Sequence, residues 1–259
     1  MPTTHKYSDL PPSPVALRLL EFHVADHCNL RCQGCSHFSP SSPRRSRSLG
    51  DVQREVDAAS RGLDPEFVHI LGGEPLLNPE LKDLLPLFRR AFPAATIKVV
   101  TNGLLVLRQS AMLLPALAAQ EIALAVSIYP GLIVDRVRIS AACASTGVPV
   151  EYWEQDTFLD FLDAEGRSDP AEARRACPMG DALNIREDRL YPCPVTAWAD
   201  LGGGSVVTDD GVPLTAPGQQ LREVLSLNRT TSKCRHCRPK PPRVAHSQGN
   251  RSPFFSAWQ

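Results

Sequence analysis

Residues 17–35, LRLLEFHVADHCNLRCQGC, decide how the chain folds. Leu17 to Val24 is mostly apolar with one aromatic and reads as a first strand. It runs straight into Cys28, Cys32 and Cys35, a CxxxCxxC run. Three thiolates on one loop can ligate three irons of a cubane and leave the fourth iron open, an electrophilic coordination site. The same spacing admits zinc if His27 or His37 completes a four-ligand set.

Downstream, strands and helices alternate. Gly50 to Arg61 has helical spacing, Phe67 to Leu71 reads as the second strand, and Pro79 to Phe92 is a helix with Pro at its first position. Thr96 to Val100, Ala123 to Tyr129 and Val148 to Trp153 are the next strands, separated by helices over Arg108 to Gln120 and Ile133 to Ala144. Steady alternation predicts parallel βα units. An eight-unit barrel is too large for the stretch before residue 165, which leaves an open partial barrel or a doubly wound sheet.

A second motif, Gly72-Gly73-Glu74-Pro75, ends the second strand. In an open α/β sheet, ligands bind at the carboxyl ends of strands, and the cysteine loop lies on that same edge. The glycines let a backbone approach a ligand closely, and Glu74 offers a carboxylate to an amino group. A lone GGEP is otherwise a turn. Thr101 and Asn102 end the third strand and Ser127 lies near the end of the fourth, on the same rim.

After Phe158 the pattern changes. Asp160 to Ala173 is charged and reads as helical, Leu183 to Tyr191 as a hairpin turning at Glu187-Asp188, Leu201 to Gln220 as loop, and Leu221 to Leu227 as a short helix. Cys177 and Cys193 bracket the hairpin, and Cys234-Arg235-His236-Cys237 is a CxxC. These four suit zinc about as well as an iron-sulfur cluster. From Arg238 the chain is rich in proline and arginine; Phe254, Phe255 and Trp258 are candidates to dock this tail on the body.

The 259 residues carry no net charge and are 42% hydrophobic, enough for a sizeable core. That balance gives no support to nucleic-acid or membrane-surface binding. No apolar run reaches the ~18 residues of a membrane span, and residues 1–14 hold no signal-peptide core, so the expected location is the cytoplasm.

With CxxxCxxC after the first strand and GGEP after the second, the chain resembles the radical S-adenosylmethionine (radical SAM) enzymes. The resemblance implies a partial (β/α)6 barrel over residues 17–165, after an N-terminal extension (1–16). It implies a [4Fe-4S] cluster on Cys28, Cys32 and Cys35 whose open iron is chelated by S-adenosylmethionine. Glu74 is expected to hold the methionine amine, within the Gly72, Gly73, Glu74, Pro75 turn. Thr101, Asn102 and Ser127 are candidates for the ribose and carboxylate. Many members place an aromatic before the third cysteine; here that residue is Gly34, and His37 or Phe38 is the candidate to stack on adenine. Beside such a barrel, Cys177, Cys193, Cys234 and Cys237 look like a twitch domain (166–240), a shortened SPASM domain with an auxiliary [4Fe-4S] cluster, before a tail (241–259). Length and cysteine order resemble the aminocyclitol dehydrogenases of that type.

The expected chemistry is oxidation or epimerisation at a carbinol carbon of a small, polar, sugar-like substrate, with an electron donor such as flavodoxin or ferredoxin. Candidate hydrogen donors are Cys143, Tyr129 and Tyr152, though Cys143 reads first as a buried apolar residue on the side away from the rim. Glu151 and Trp153 are further rim candidates, and His23 reads as a core histidine. Arg44, Arg45 and Arg47 form a basic run after the cluster loop, able to attract an anionic substrate or an acidic reductant. Peptide modification is the second enzymatic reading. The reading from another class is a zinc-stabilised interaction module without catalysis.

Overall fold

A computed structural model describes residues 14–163, 165–202, 210–226 and 229–247. Phe254, Phe255 and Trp258 lie outside the described residues.

The first elements alternate strictly: β1 (Val15–Ala25), α1 (Leu49–Gly62), β2 (Leu63–Gly72), α2 (Leu81–Ala91), β3 (Thr96–Thr101), α3 (Val106–Ala119), β4 (Ala123–Ile128), α4 (Arg136–Thr146) and β5 (Val150–Glu154). Then come β6 (Thr157–Leu159), α5 (Pro170–Arg175), β7 (Ala182–Arg186), β8 (Arg189–Tyr191), α6 (Pro194–Trp198), β9 (Val212–Pro213), α7 (Gly218–Leu225) and β10 (Arg243–Ala245). Local chemistry sets several starts. Ser48 caps α1 by accepting from the Asp51 amide, and Asp135 and Asp169 do the same for α4 and α5. Among the described residues no helix is long and apolar enough to cross a membrane.

The main sheet runs β5-β4-β3-β2-β1-β7-β8-β9. Its first six members are all parallel, as the expected open partial barrel requires. The sixth parallel strand is not placed beyond β5. It is β7, which follows the long insertion and pairs with the opposite edge at β1, Glu21 facing Asn184. The Leu183 to Tyr191 hairpin is present as β7–β8, and Glu187 and Asp188 both take positive φ (50° and 60°), as a two-residue turn matched to strand twist requires.

Leu20, Phe22, Val68, Ile70, Ile97 and Val99 point outward and form one core with the helices. Their alternate neighbours Glu21, His69 and Lys98 therefore face the inside of the curved sheet. A second, smaller core gathers Phe38, Phe161, Tyr191, Val195 and Trp198.

Two expectations need correction. The charged stretch Asp160 to Ala173 is helical only over α5. Its first part is extended because its backbone is sewn to the chain around the CxxC: Asp160 N donates to Pro242 O (2.9 Å), Asp163 N to His236 O (2.8 Å) and Ser168 N to Arg235 O (3.1 Å). The start of the proline-rich tail is also ordered, since β10 pairs antiparallel with β6.

Candidate active site

The cysteine loop leaves β1 at the rim and is held from two sides. Asp26 N donates to Arg45 O (2.9 Å) and Arg47 N to Val24 O (2.9 Å), so the arginine run lies antiparallel along the end of β1. Arg47 is buried and paired with Glu55 at 2.8 Å; it belongs to the scaffold, whereas Arg44 and Arg45 are exposed.

The second hold explains the two glycines. Gly73 N donates to Ala25 O (2.8 Å) and Glu74 N to His27 O (3.0 Å). A Cβ on Gly72 would lie 2.1 Å from Ala25 O, and one on Gly73 2.2 Å from His27 O. The close approach these glycines permit is therefore to the backbone of the cysteine loop itself. CxxxCxxC and GGEP are two halves of one interlocked turn.

Glu74 is wholly buried and faces inward. Its carboxylate accepts from Thr101 Oγ1 (2.6 Å), Asn102 N (2.9 Å) and Leu76 N (3.1 Å). Burial outweighs these bonds and raises its pKa to about 7. The side chain ties the end of β2 to the end of β3. Asn102 carries the tie onward: its Nδ2 donates to Asn29 Oδ1 at 2.7 Å, one residue from Cys28.

The thiols sit in different fields. Burial, reinforced by Glu74 and the neighbouring thiols, pushes Cys28 well above its ordinary range. Burial also acts on Cys35, but its hydrogen bond with His37 overrides that and lowers the thiol. His37 in turn rises to about 9, since bonds to Cys35 and Glu21 outweigh burial. His246 Nε2 lies 3.4 Å from the sulfur of Cys32.

All three cysteines open onto one cavity of about 260 Å³, which also touches His37, Gly72, Gly73, Asn102, Ser127 and Tyr129. Those expected residues are brought together. Others are not. Glu74, Pro75 and Thr101 are buried and do not line the cavity. Phe38 turns into the second core, so it does not meet the cavity; Phe158 and Tyr129, nearly parallel with centroids 5.8 Å apart, supply the aromatic wall instead. Tyr152 lies on the helix side, where its hydroxyl bonds Ser140 Oγ (2.8 Å) and Arg136 O (3.0 Å). Cys143 is fully buried in the outer core.

Residues 23–130 match the family model described as the radical SAM superfamily. That stretch of the chain is similar to the radical SAM domain. It is 33% identical over 88 residues to GTP 3',8-cyclase of Pectobacterium atrosepticum, covering 32% of this chain and 26% of that protein. With the enzyme of Chlorobaculum tepidum it shares 31% over 87 residues, covering 33% and 26%. The match thus spans about a quarter of these relatives' length. Similar solved structures include BtrN in complex with AdoMet and 2-DOIA (16% identity, 83% of this chain and 89% of that one, TM-score 0.49). Another is Streptococcus suis SuiB bound to S-adenosylmethionine (21%, 52% and 33%, TM-score 0.42).

Cys177, Cys193, Cys234 and Cys237 lie outside the matched residues, and these converge. The charge of Cys237 is disfavoured first by burial and then by Cys193, Cys177 and Cys234. Cys193 is pushed up to about 11 by burial with Cys177 and Cys234 beside it. Cys193 caps α6, accepting from Thr196 N at 3.4 Å, while Cys234 accepts from Thr231 N at 3.3 Å; the two threonine hydroxyls bond each other at 3.1 Å. Among the described residues no three His, Cys, Asp or Glu side chains stand close enough to hold a single metal ion.

Both donor sets fit iron-sulfur clusters. The first has three thiols and an open side toward the Gly72-Gly73 turn. Beside the second, Arg174 is 2% exposed and leaves Nε and Nη2 without partners. A buried, unneutralised cation fits a group that brings negative charge.

The cavity also touches residues that the sequence reading missed. Glu21 and His69 line it from adjacent strands, His69 Nδ1 3.9 Å from Glu21 Oε1, with Gln155 and the expected Trp153 beside them. Asn184 donates to Glu21 Oε2 at 3.0 Å. Asn184, Glu21, His69 and Lys98 occupy one register line across four strands. Period-two alternation in β1 is the only sequence signal that could have found Glu21.

Proposed function

We propose that the chain is a radical SAM enzyme that oxidises or epimerises a carbinol carbon of a sugar or aminocyclitol. In this reading Cys28, Cys32 and Cys35 hold the first [4Fe-4S] cluster, and the second cysteine set, in a twitch-like region over 166–240, holds an auxiliary one. A flavodoxin- or ferredoxin-like protein supplies the electron. When bound, the first cluster and S-adenosylmethionine supply a 5′-deoxyadenosyl radical able to take hydrogen from an unactivated C–H bond.

The chain's own residues do the rest. Gly72 and Gly73 fix the cysteine loop, and Glu74 fixes Asn102 beside it. Gly73, Asn102 and Ser127 line the side on which S-adenosylmethionine would lie, with Tyr129 and Phe158 as an apolar wall that excludes water.

One observation carries the sugar-like substrate: the polar line on the inner face. Asn184 and His69 hold Glu21 in place on that face, so a fixed carboxylate and imidazole are presented to the cavity. A carboxylate, an imidazole, the amide of Gln155 and the indole of Trp153 together suit a small ring bearing hydroxyl groups. The test is anaerobic incubation with candidate aminocyclitols and sugars in deuterated water. A product lighter by two hydrogens marks oxidation, and one that gains a deuterium marks epimerisation. Turnover of peptides alone would overturn the substrate class.

A further inference from the structure

Resting on the reading of the second cysteine set as a [4Fe-4S] site, we infer that Arg174 is the positioning residue that sets that cluster's charge balance and reduction potential. Arg174 lies in α5, the element that leads into Cys177. It is 2% exposed, and its Nε and Nη2 atoms meet no acceptor. An arginine cannot shed its charge, so burying it without a carboxylate is strongly unfavourable.

The other two buried arginines among the described residues have anionic partners. Arg186 holds Asp200 through two nitrogens and lies over the Trp198 ring, and Arg47 has Glu55. Among the described residues Arg174 has no such ion pair. Its place is beside the cysteine set: Cys177 N donates to Arg174 O at 3.3 Å, and α5 packs against the turn formed by Cys234, Arg235 and His236. Cys177 in turn feels Cys234, and Cys193 and Cys237 feel both.

The guanidinium is thus buried, without a carboxylate, in the element packed against the place where four thiolates would gather negative charge. Two free N–H directions allow it to donate to ligand or cluster sulfur. Hydrogen bonds to sulfur and nearby positive charge stabilise the reduced, more negative state of a cluster and raise its potential. Arg174 thereby makes the auxiliary site a better electron acceptor than four thiolates alone would be.

The test uses the full chain with Cys28, Cys32 and Cys35 replaced by alanine, so that only the second site can carry iron. It is reconstituted anaerobically and titrated redox-potentiometrically, with the reduced cluster followed by electron paramagnetic resonance. Arg174→Gln should lower the potential by at least about 59 mV, a tenfold change in a one-electron equilibrium. Arg174→Lys, which keeps the charge, should recover most of that shift. Should Arg174→Gln fail to retain iron where Arg174→Lys retains it, the charge role is read from retention instead. Equal potentials in the parent, Gln and Lys proteins would overturn the inference, as would a folded Lys variant that fails as completely as Gln. A parent that takes up no iron at this site would instead remove the auxiliary-cluster reading beneath it.

Discussion

Gly73 passes so close to His27 that a single added methyl carbon would lie 2.2 Å from the His27 carbonyl oxygen. The contact is backbone to backbone, so no side-chain rotation relieves it. Gly73→Ala should push the GGEP turn away from the cysteine loop. We expect a loss of about 2–3 kcal/mol, a melting temperature lower by roughly 5–10 °C, and poor iron uptake at the first site. Circular dichroism melts and iron assays check this.

Glu74 predicts a pH dependence. Burial raises its folded pKa from 4.5 to about 7. Between those values the folded chain keeps a proton that the unfolded chain has released. Stability from this group is therefore greatest below 4.5 and declines until pH passes about 7. The total is on the order of 3 kcal/mol. Glu74→Gln cannot ionise, so urea unfolding at pH 5 and pH 8 should show the variant gaining on the parent as pH rises. An unchanged gap would mean the carboxyl titrates alike in both states.

Tyr152 and Cys143 are placed away from the cavity, and their variants should leave S-adenosylmethionine cleavage intact. Tyr152→Phe loses the bonds to Ser140 and Arg136 and should cost about 1 kcal/mol. Cys143→Ser buries a hydroxyl in the outer core at a cost of about 1–3 kcal/mol. Loss of 5′-deoxyadenosine release in either well-folded variant would show a chemical role that their positions do not suggest.

The two cysteine sets should be separable. Cys237→Ser should reduce bound iron from about eight to about four per chain while cleavage at the first site persists. Cys32→Ala should keep about four irons and lose cleavage. Parallel loss of all iron in both variants would mean one shared site.

Much of this was legible in the sequence for local reasons. The apolar run of β1 feeding into Cys28, and the GGEP turn closing β2, are contiguous signals, and so is the Glu187-Asp188 hairpin. What stayed hidden depends on partners far along the chain. Asn184 pairs with Glu21 across 163 residues, and nothing near Ala182 announces a strand parallel to β1. Asp160 to Asp169 has helical composition, yet its backbone bonds go to residues 235–242. Phe38 was legible as an aromatic beside the cluster loop, but its direction was decided by Trp198 and Phe161, which complete a second core. The tail strand β10, with His246 at the Cys32 sulfur, needs β6 as a template.

The most direct test of the whole account is anaerobic reconstitution with iron and sulfide, then dithionite and S-adenosylmethionine, with 5′-deoxyadenosine quantified by chromatography. The account predicts 5′-deoxyadenosine from the intact chain and none from Cys32→Ala. Protein that is fully loaded with iron yet releases none, or that holds tightly bound zinc in place of iron at the first cysteine loop, would contradict it.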